Sequence, residues 1–224
     1  MPVTVPNESQ EYRAARSRLL EEEAALRQHI EDVAALRRAL PKGGQLKRDY
    51  AFHEWVGGKE REVLFSDLFR KGHVTLFAYS FMYAPTMDAA CPACASFIDG
   101  LNGQALHIGQ TISMAIIAQH EPKVLQDFAD SRGWNALRII SSAGTTYNAD
   151  YRGEVEGKQT TNANVFRRDS DTGAIHHFWG SELAAHDLIE NGDSRHVDLM
   201  WPLWNVLDVT PDGRGEFRPK LAYD

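Results

Sequence analysis

The chain has two cysteines, and both fall in one short stretch, Cys91-Pro92-Ala93-Cys94. A structural disulfide stabilises a fold by closing a long loop, and a bridge between Cys91 and Cys94 would close almost nothing. The same pair makes sense as a dithiol that alternates with a disulfide. If a helix opens here, Pro92 suits its first position, where a missing N–H has no partner to lose. Cys94 then lies one turn in, on the face of Cys91. The positive end of a helix favours an anion, and so a thiolate at Cys91. A lowered pKa makes that sulfur the better nucleophile and leaving group near neutral pH. This spacing predicts that Cys91 attacks a substrate disulfide and that Cys94 resolves the mixed disulfide.

Other chemistries are weaker fits. Zinc needs about four ligands; there is no second CxxC, and His176-His177 are adjacent in a strand candidate, where neighbours face opposite ways. Attachment of c-type haem needs a histidine after the second cysteine, where Ala95 stands. The chain therefore implies no metal and no cofactor. Two inert buried cysteines, or a non-catalytic redox-sensing or assembly module, remain as alternatives. Asp88 reads as a loop residue; a carboxylate beside Cys91 would raise the thiol pKa and oppose the helix. Trp201 and Trp204 read as core-sealing side chains, with a substrate-facing wall as the alternative. His107 and His120 read as surface or packing residues. Arg214, between two glycines, could anchor the tail on a carboxylate or bind an anion.

The elements that must position the pair follow from hydrophobic patterning. Val74–Ser80 is a nearly continuous apolar run, as expected of a strand buried on both faces. A loop follows, and Cys91 opens a helix to about Leu106. Ile112–Ala118 is a second buried strand, Pro122–Arg132 a helix ended by Gly133, and Leu137–Ser141 a short strand. Gly144–Thr161 is polar and glycine-bearing and reads as a surface excursion. Ala163–Arg168 and Ala174–Trp179 flank Asp171-Thr172-Gly173 and read as a hairpin. Upstream, Tyr50–Phe52 and Glu62–Phe65 read as strands around Gly57-Gly58, with a short helix over Ser66–Lys71. Before them, Asn7 to Leu40 reads as one long helix, with Asn7 as its cap and Leu19, Leu26, Val33 and Leu40 recurring every seven residues. That helix could lie on its own domain or pack on a second copy as a homodimer arm; Glu22 and His29 interrupt the seam of a plain coiled coil. His196–Val206 reads as helical. The divisions expected are a helical arm over residues 1–44, a core over 45–195 and an extension over 196–224 packed on the core.

Strand, helix, strand, helix and hairpin in that order predict an α/β fold, a three-layer sandwich around a mixed sheet. The 224 residues carry 43% hydrophobic and 25% charged side chains, ordinary for a globular protein, and a net charge of -7. Such a surface repels phosphates and anionic lipid, which argues against nucleic acid and membrane partners. The apolar runs fall far short of the ~20 residues a membrane span needs. Met1–Gln10 lacks a basic region followed by an apolar stretch, so the expected location is cytoplasmic.

The residues from Leu64 to Gly103, with Asp67-Leu68-Phe69, Leu76–Met82, the CPAC motif and Asn102-Gly103, resemble a bacterial thioredoxin-like family. So do Trp179-Gly180-Ser181-Glu182-Leu183 and the tail from Trp204 to Gly215. The family was long catalogued as a domain of unknown function and described as predicted dithiol–disulfide oxidoreductases. The resemblance implies a thioredoxin-like fold and a redox-active pair at Cys91 and Cys94; it implies no substrate beyond a protein or small-molecule thiol or disulfide. Thioredoxins place a cis-proline before the strand that faces the motif. Here Thr160–Asn164 holds no proline, and Asn162 or Ala163 is expected in its place. Peroxiredoxins, which share the core, put Thr three residues and Pro seven residues before their reactive cysteine. Those positions are Asp88 and Ala84, so a thiol peroxidase is the second reading.

Overall fold

The computed structural model describes residues 4–182 and 195–223. The chain divides into two compact units, Met1–Pro41 and Lys42–Asp224. In the first, helix α1 spans Gln10–Arg38. Its cap is Ser9, whose hydroxyl accepts the Tyr12 N–H at 3.0 Å. Asn7, expected to cap it, stands outside the helix with a φ of 61°. The cap thus falls two residues later than the sequence suggests, because Ser9 is equally fit for the role. No residue of α1 is buried, and Leu19, Leu26 and Leu36 are exposed.

In the second unit, strands β1 (Ala51–Val56) and β2 (Lys59–Leu64) form the expected hairpin. Gly57 and Gly58 both have positive φ at its tip, a conformation that other residues rarely adopt. The short helix expected next is a single 3-10 turn, Phe65–Leu68. Then come β3 (Thr75–Ser80), α2 (Pro92–Ile108), β4 (Ser113–Ala118), α3 (Pro122–Arg132) and β5 (Arg138–Ser141). Gly133 ends α3 in the left-handed conformation, as its position predicts.

Residues 144–161 are not a plain surface excursion. They hold a one-turn helix α4 (Tyr147–Asp150) and a small ribbon, β6 (Glu154–Val155) with β7 (Lys158–Gln159). Tyr147 and Asn148 are fully buried. The second hairpin follows as β8 (Asn162–Arg168) and β9 (Ile175–Gly180). The tail expected as one helix is broken into a 3-10 turn, Arg195–Met200, and helix α5, Pro202–Leu207. Pro202 is the cause: it lacks an N–H and starts a helix better than it continues one. Leu183 and the residues up to 194 lie outside the described residues.

Among the described residues, seven strands make one sheet in the order β2-β1-β5-β4-β3-β8-β9. The centre is parallel, with Ala78 opposite Ala115 and Ile116 opposite Ile139. The flanks are antiparallel, with Tyr79 opposite Ala163 and His53 opposite Ser141. This is the thioredoxin-like α/β architecture that the element order predicts. Alternation sorts β3 between two cores. Phe77 and Tyr79 join Phe97, Ile98, Leu101, Leu125 and Ala129 on the face covered by α2 and α3. Leu76 and Ala78 join Tyr50, Phe52, Phe65, Tyr147 and Phe166 on the other. Strand β3 therefore ends, through a short loop, at the mouth of the helix that carries both cysteines.

Candidate functional site

Cys91 is the N-cap of α2, and Pro92 is its first residue, as the spacing predicts. The cysteine backbone is extended, and its N–H donates to Met82 O at 3.1 Å, which ties the motif to the end of the β3 loop. Its sulfur accepts the Cys94 backbone N–H at 3.3 Å. A thiol thus does the work that serine or aspartate does at ordinary helix starts. Cys94 is one turn in, inside the core beside Phe97 and Tyr79, and only 2% exposed. Both thiols are free, and Cys91 is half-buried.

The two sulfurs titrate in opposite senses. The Cys91 thiol is pulled down to about 6, chiefly by the hydrogen bond from Cys94 and also by the Cys94 and Ala93 backbone N–H groups, against the opposing effect of burial. Cys94 is pushed well up, because its hydrogen is held by Cys91, it is buried, and it faces the Cys91 charge. The Met82 N–H and the Tyr79 hydroxyl pull the other way at Cys94. The outer sulfur is therefore the thiolate at neutral pH, and the inner one keeps its proton.

Tyr79 is the neighbour of the pair that sequence reasoning missed. Tyr79 packs in the same core as Cys94, and burial and the two cysteines hold its hydroxyl well above the ordinary range. In the stretch that replaces the thioredoxin proline, Ala163 packs in the cysteine-side core. The Asn162 side chain turns instead to Ser181 Oγ, at 2.7 Å, and to Tyr151 O. Thr161 Oγ1 donates to Ser80 O at 3.1 Å. A period-two reading of β3 would have put Tyr79 on the face of Phe77, but only the fold shows that this face is the one under the motif.

A serine–histidine contact nearby does not make a second catalytic centre. His196 Nδ1 is 2.8 Å from Ser181 Oγ, yet that oxygen also accepts the Ala163 N–H and bonds Asn162 Oδ1. The hydroxyl is fully engaged and 3% exposed, so it is a latch between β8 and β9 rather than a nucleophile. Among the described residues, no three histidine, cysteine, aspartate or glutamate side chains stand together as metal ligands. His107 is exposed, and His120 packs its ring 4.8 Å from Tyr83. Trp201 is buried, 5.7 Å from Phe97, and closes the core over α2. Arg214 grips Asp208 through both carboxylate oxygens, bonds Asp198 at 2.9 Å and lies 5.1 Å from the Trp204 ring, so it anchors the tail.

The family described as "Bacterial protein of unknown function (DUF899)" matches residues 2–223. The chain belongs to that family. No curated protein sequence matches it. Several solved structures resemble this DUF899 member at low identity. The reduced peroxiredoxin Prx3 in complex with H2O2 from Vibrio vulnificus is 12% identical, with a TM-score of 0.44, over 72% of this chain and 99% of that one. Thioredoxin peroxidase I of Plasmodium yoelii is 16% identical, with a TM-score of 0.46, over 80% and 100%. BsSco, a member of the Sco family of cytochrome c oxidase assembly proteins, is 14% identical, with a TM-score of 0.40, over 77% and 99%. At these scores the likenesses do not say what the DUF899 chain does. No helix among the described residues is long and apolar enough to cross a membrane.

Proposed function

We propose that this protein carries out thiol–disulfide exchange, with Cys91 as nucleophile and Cys94 as resolving thiol. The observation that carries the reading is the asymmetry of the pair: an accessible sulfur held near a pKa of 6 at a helix cap, above a buried sulfur that keeps its proton. The Cys91 thiolate attacks one sulfur of a substrate disulfide. A Cys91–substrate bond forms, the substrate S–S bond breaks, and the second substrate sulfur leaves as a thiolate. Cys94 then attacks Cys91; the mixed disulfide breaks, the Cys91–Cys94 bond forms, and the Cys94 proton ends on the released substrate thiol. The substrate is oxidised protein or a small disulfide when the motif is reduced, and a dithiol in the reverse sense.

The reading of the pair as a thiol peroxidase has less support. Asp88, three residues before Cys91, offers a carboxylate where that pattern has a hydroxyl, and it is exposed. The test is kinetic. Cys91→Ser should abolish reduction of a test disulfide, and Cys94→Ser should accumulate a mixed disulfide on Cys91 visible by mass. A Cys91→Ser protein that still reduces the disulfide at the wild-type rate would rule the proposal out. Rapid peroxide consumption with no disulfide exchange would instead favour the peroxidase.

A further inference from the structure

Helix α1 runs unbroken over Gln10–Arg38, 29 residues, and buries none of them. Helices in proteins owe most of their stability to covering an apolar face. The face of α1 is a narrow stripe. Tyr12, Leu19 and Leu26 stand seven residues apart and are 51%, 51% and 59% exposed, and Val33 continues the line. A strict repeat of seven is the spacing of a seam between two supercoiled helices.

The charges beside the stripe identify what lies against it. One flank carries Arg16, Glu23 and Arg37, and the other carries Glu11, Arg18 and Asp32. The first flank is a continuous edge, along which Arg16 Nη2 bonds Glu23 at 2.8 Å. Between flanks, each charge finds the opposite sign five residues on: Glu11 with Arg16, Arg18 with Glu23, Asp32 with Arg37. Residues five apart point about 140° away from each other on one helix, so these pairs cannot close within a chain. Two parallel helices in register bring them together on both sides of the seam. An antiparallel pair sets each flank against itself. With the helices fully overlapped, that opposes Glu23 to its own copy or Arg16 to Arg37.

We propose that α1 docks on α1 of a second copy of this chain, as a parallel, in-register, two-stranded coiled coil. The proposal does not depend on the exchange reading of the cysteines. The second seam position holds Ala15, Glu22, His29 and Leu36, each facing its own copy. Polar layers there cost stability and hold the register, so the dimer is a reversible one.

Analytical ultracentrifugation of the full chain tests the pairing. Wild type should sediment as a concentration-dependent dimer. Leu26→Asp should raise the dissociation constant about a hundredfold, by placing two charges in the seam. Glu22→Leu replaces a like-charged layer with an apolar one and should lower it roughly tenfold or more. Arg18→Glu and Glu23→Arg should each raise it about tenfold, because each sets like charges across the seam twice, and the double variant should return to within about threefold of wild type. All four positions are exposed. A wild-type chain that stays monomeric up to its solubility limit, or a dimer that none of these substitutions moves, would overturn the proposal. A dimer that Leu26→Asp weakens but Glu23→Arg tightens would be antiparallel, and would overturn the orientation.

Discussion

The two faces of the central sheet are built for different ends. On the face under α2, Cys91 stands at the helix cap and Cys94 one turn below it, with Tyr79 in the same core. On the opposite face the rings of Tyr50, Phe52, Phe65, Tyr147 and Phe166 pack on one another, with Phe65 and Phe166 centroids 4.8 Å apart. A buried carboxylate at its rim is paired. Glu54, 3% exposed, accepts from Arg138 at 2.8 Å and from Arg61, while Arg138 also donates to Asp67 O. Among the described residues that layer has α4 and a 3-10 turn for helices, so aromatic area replaces helical cover. One face carries the dithiol; the other holds a buried carboxylate between two arginines. The lesson is that stability and reactivity are separately addressable in this fold.

The sharpest way to break the contrast is Phe65→Ala. Loss of a buried ring should cost about 3–5 kcal/mol in a denaturant titration, yet leave the alkylation rate of Cys91 in the folded fraction unchanged. A matching loss of Cys91 reactivity would show that the faces are coupled. Next is Glu54→Gln. Burial opposes the Glu54 charge, and hydrogen bonds from Arg138 and Arg61 outweigh it, so its pKa is depressed. Both arginines keep solvent access, so the expected loss is about 1–3 kcal/mol rather than the larger figure for a sealed pair. A depressed carboxylate stabilises the fold above its unfolded pKa of ~4.3, and that contribution disappears as pH falls through the lower folded value. Acid unfolding should therefore be flatter in Glu54→Gln than in wild type over that window.

On the reactive face, iodoacetamide should modify Cys91 about tenfold faster at pH 7 than at pH 5, the ratio set by a midpoint near pH 6. Cys94 should stay unmodified over the same range, and a midpoint near that of a free thiol would refute the cap's influence. The smallest effect is on stability at the motif itself. Serine caps helices as well as any residue, so Cys91→Ser should change the unfolding free energy by no more than about 0.5 kcal/mol. A larger loss would mean that the reactive sulfur also holds the fold together.

The reactive face was largely legible because its signals are local. Cys91, Pro92 and Cys94 declare a helix start by spacing alone, and the apolar run ending at Ser80 declares the strand before it. The closed face was harder to read. Tyr147 sits in a polar, glycine-bearing stretch with no period to mark it, and only the folded chain brings it against Phe52, 5.2 Å away. Tyr79 failed to stand out for the opposite reason, as one aromatic among many in an apolar run. Asn7 and Ser9 are both good caps two residues apart, and nothing local in the sequence ranks them. Pro202 should have split the tail helix on its own chemistry, and did. Arg214 could be read either as an anchor or as an anion site until Asp198 and Asp208 were seen to converge on it.

The cap at Cys91 has a thermodynamic side. The backbone N–H groups at the head of α2 interact best with a negative sulfur, which exists only in the reduced form; in the disulfide that sulfur is neutral and a poorer acceptor. The helix thus subsidises one redox state over the other. Whatever stabilises the dithiol raises the potential of the couple, so the start of α2 biases the motif toward accepting electrons, and the first turn of the helix should be tighter when the protein is reduced than when it is oxidised.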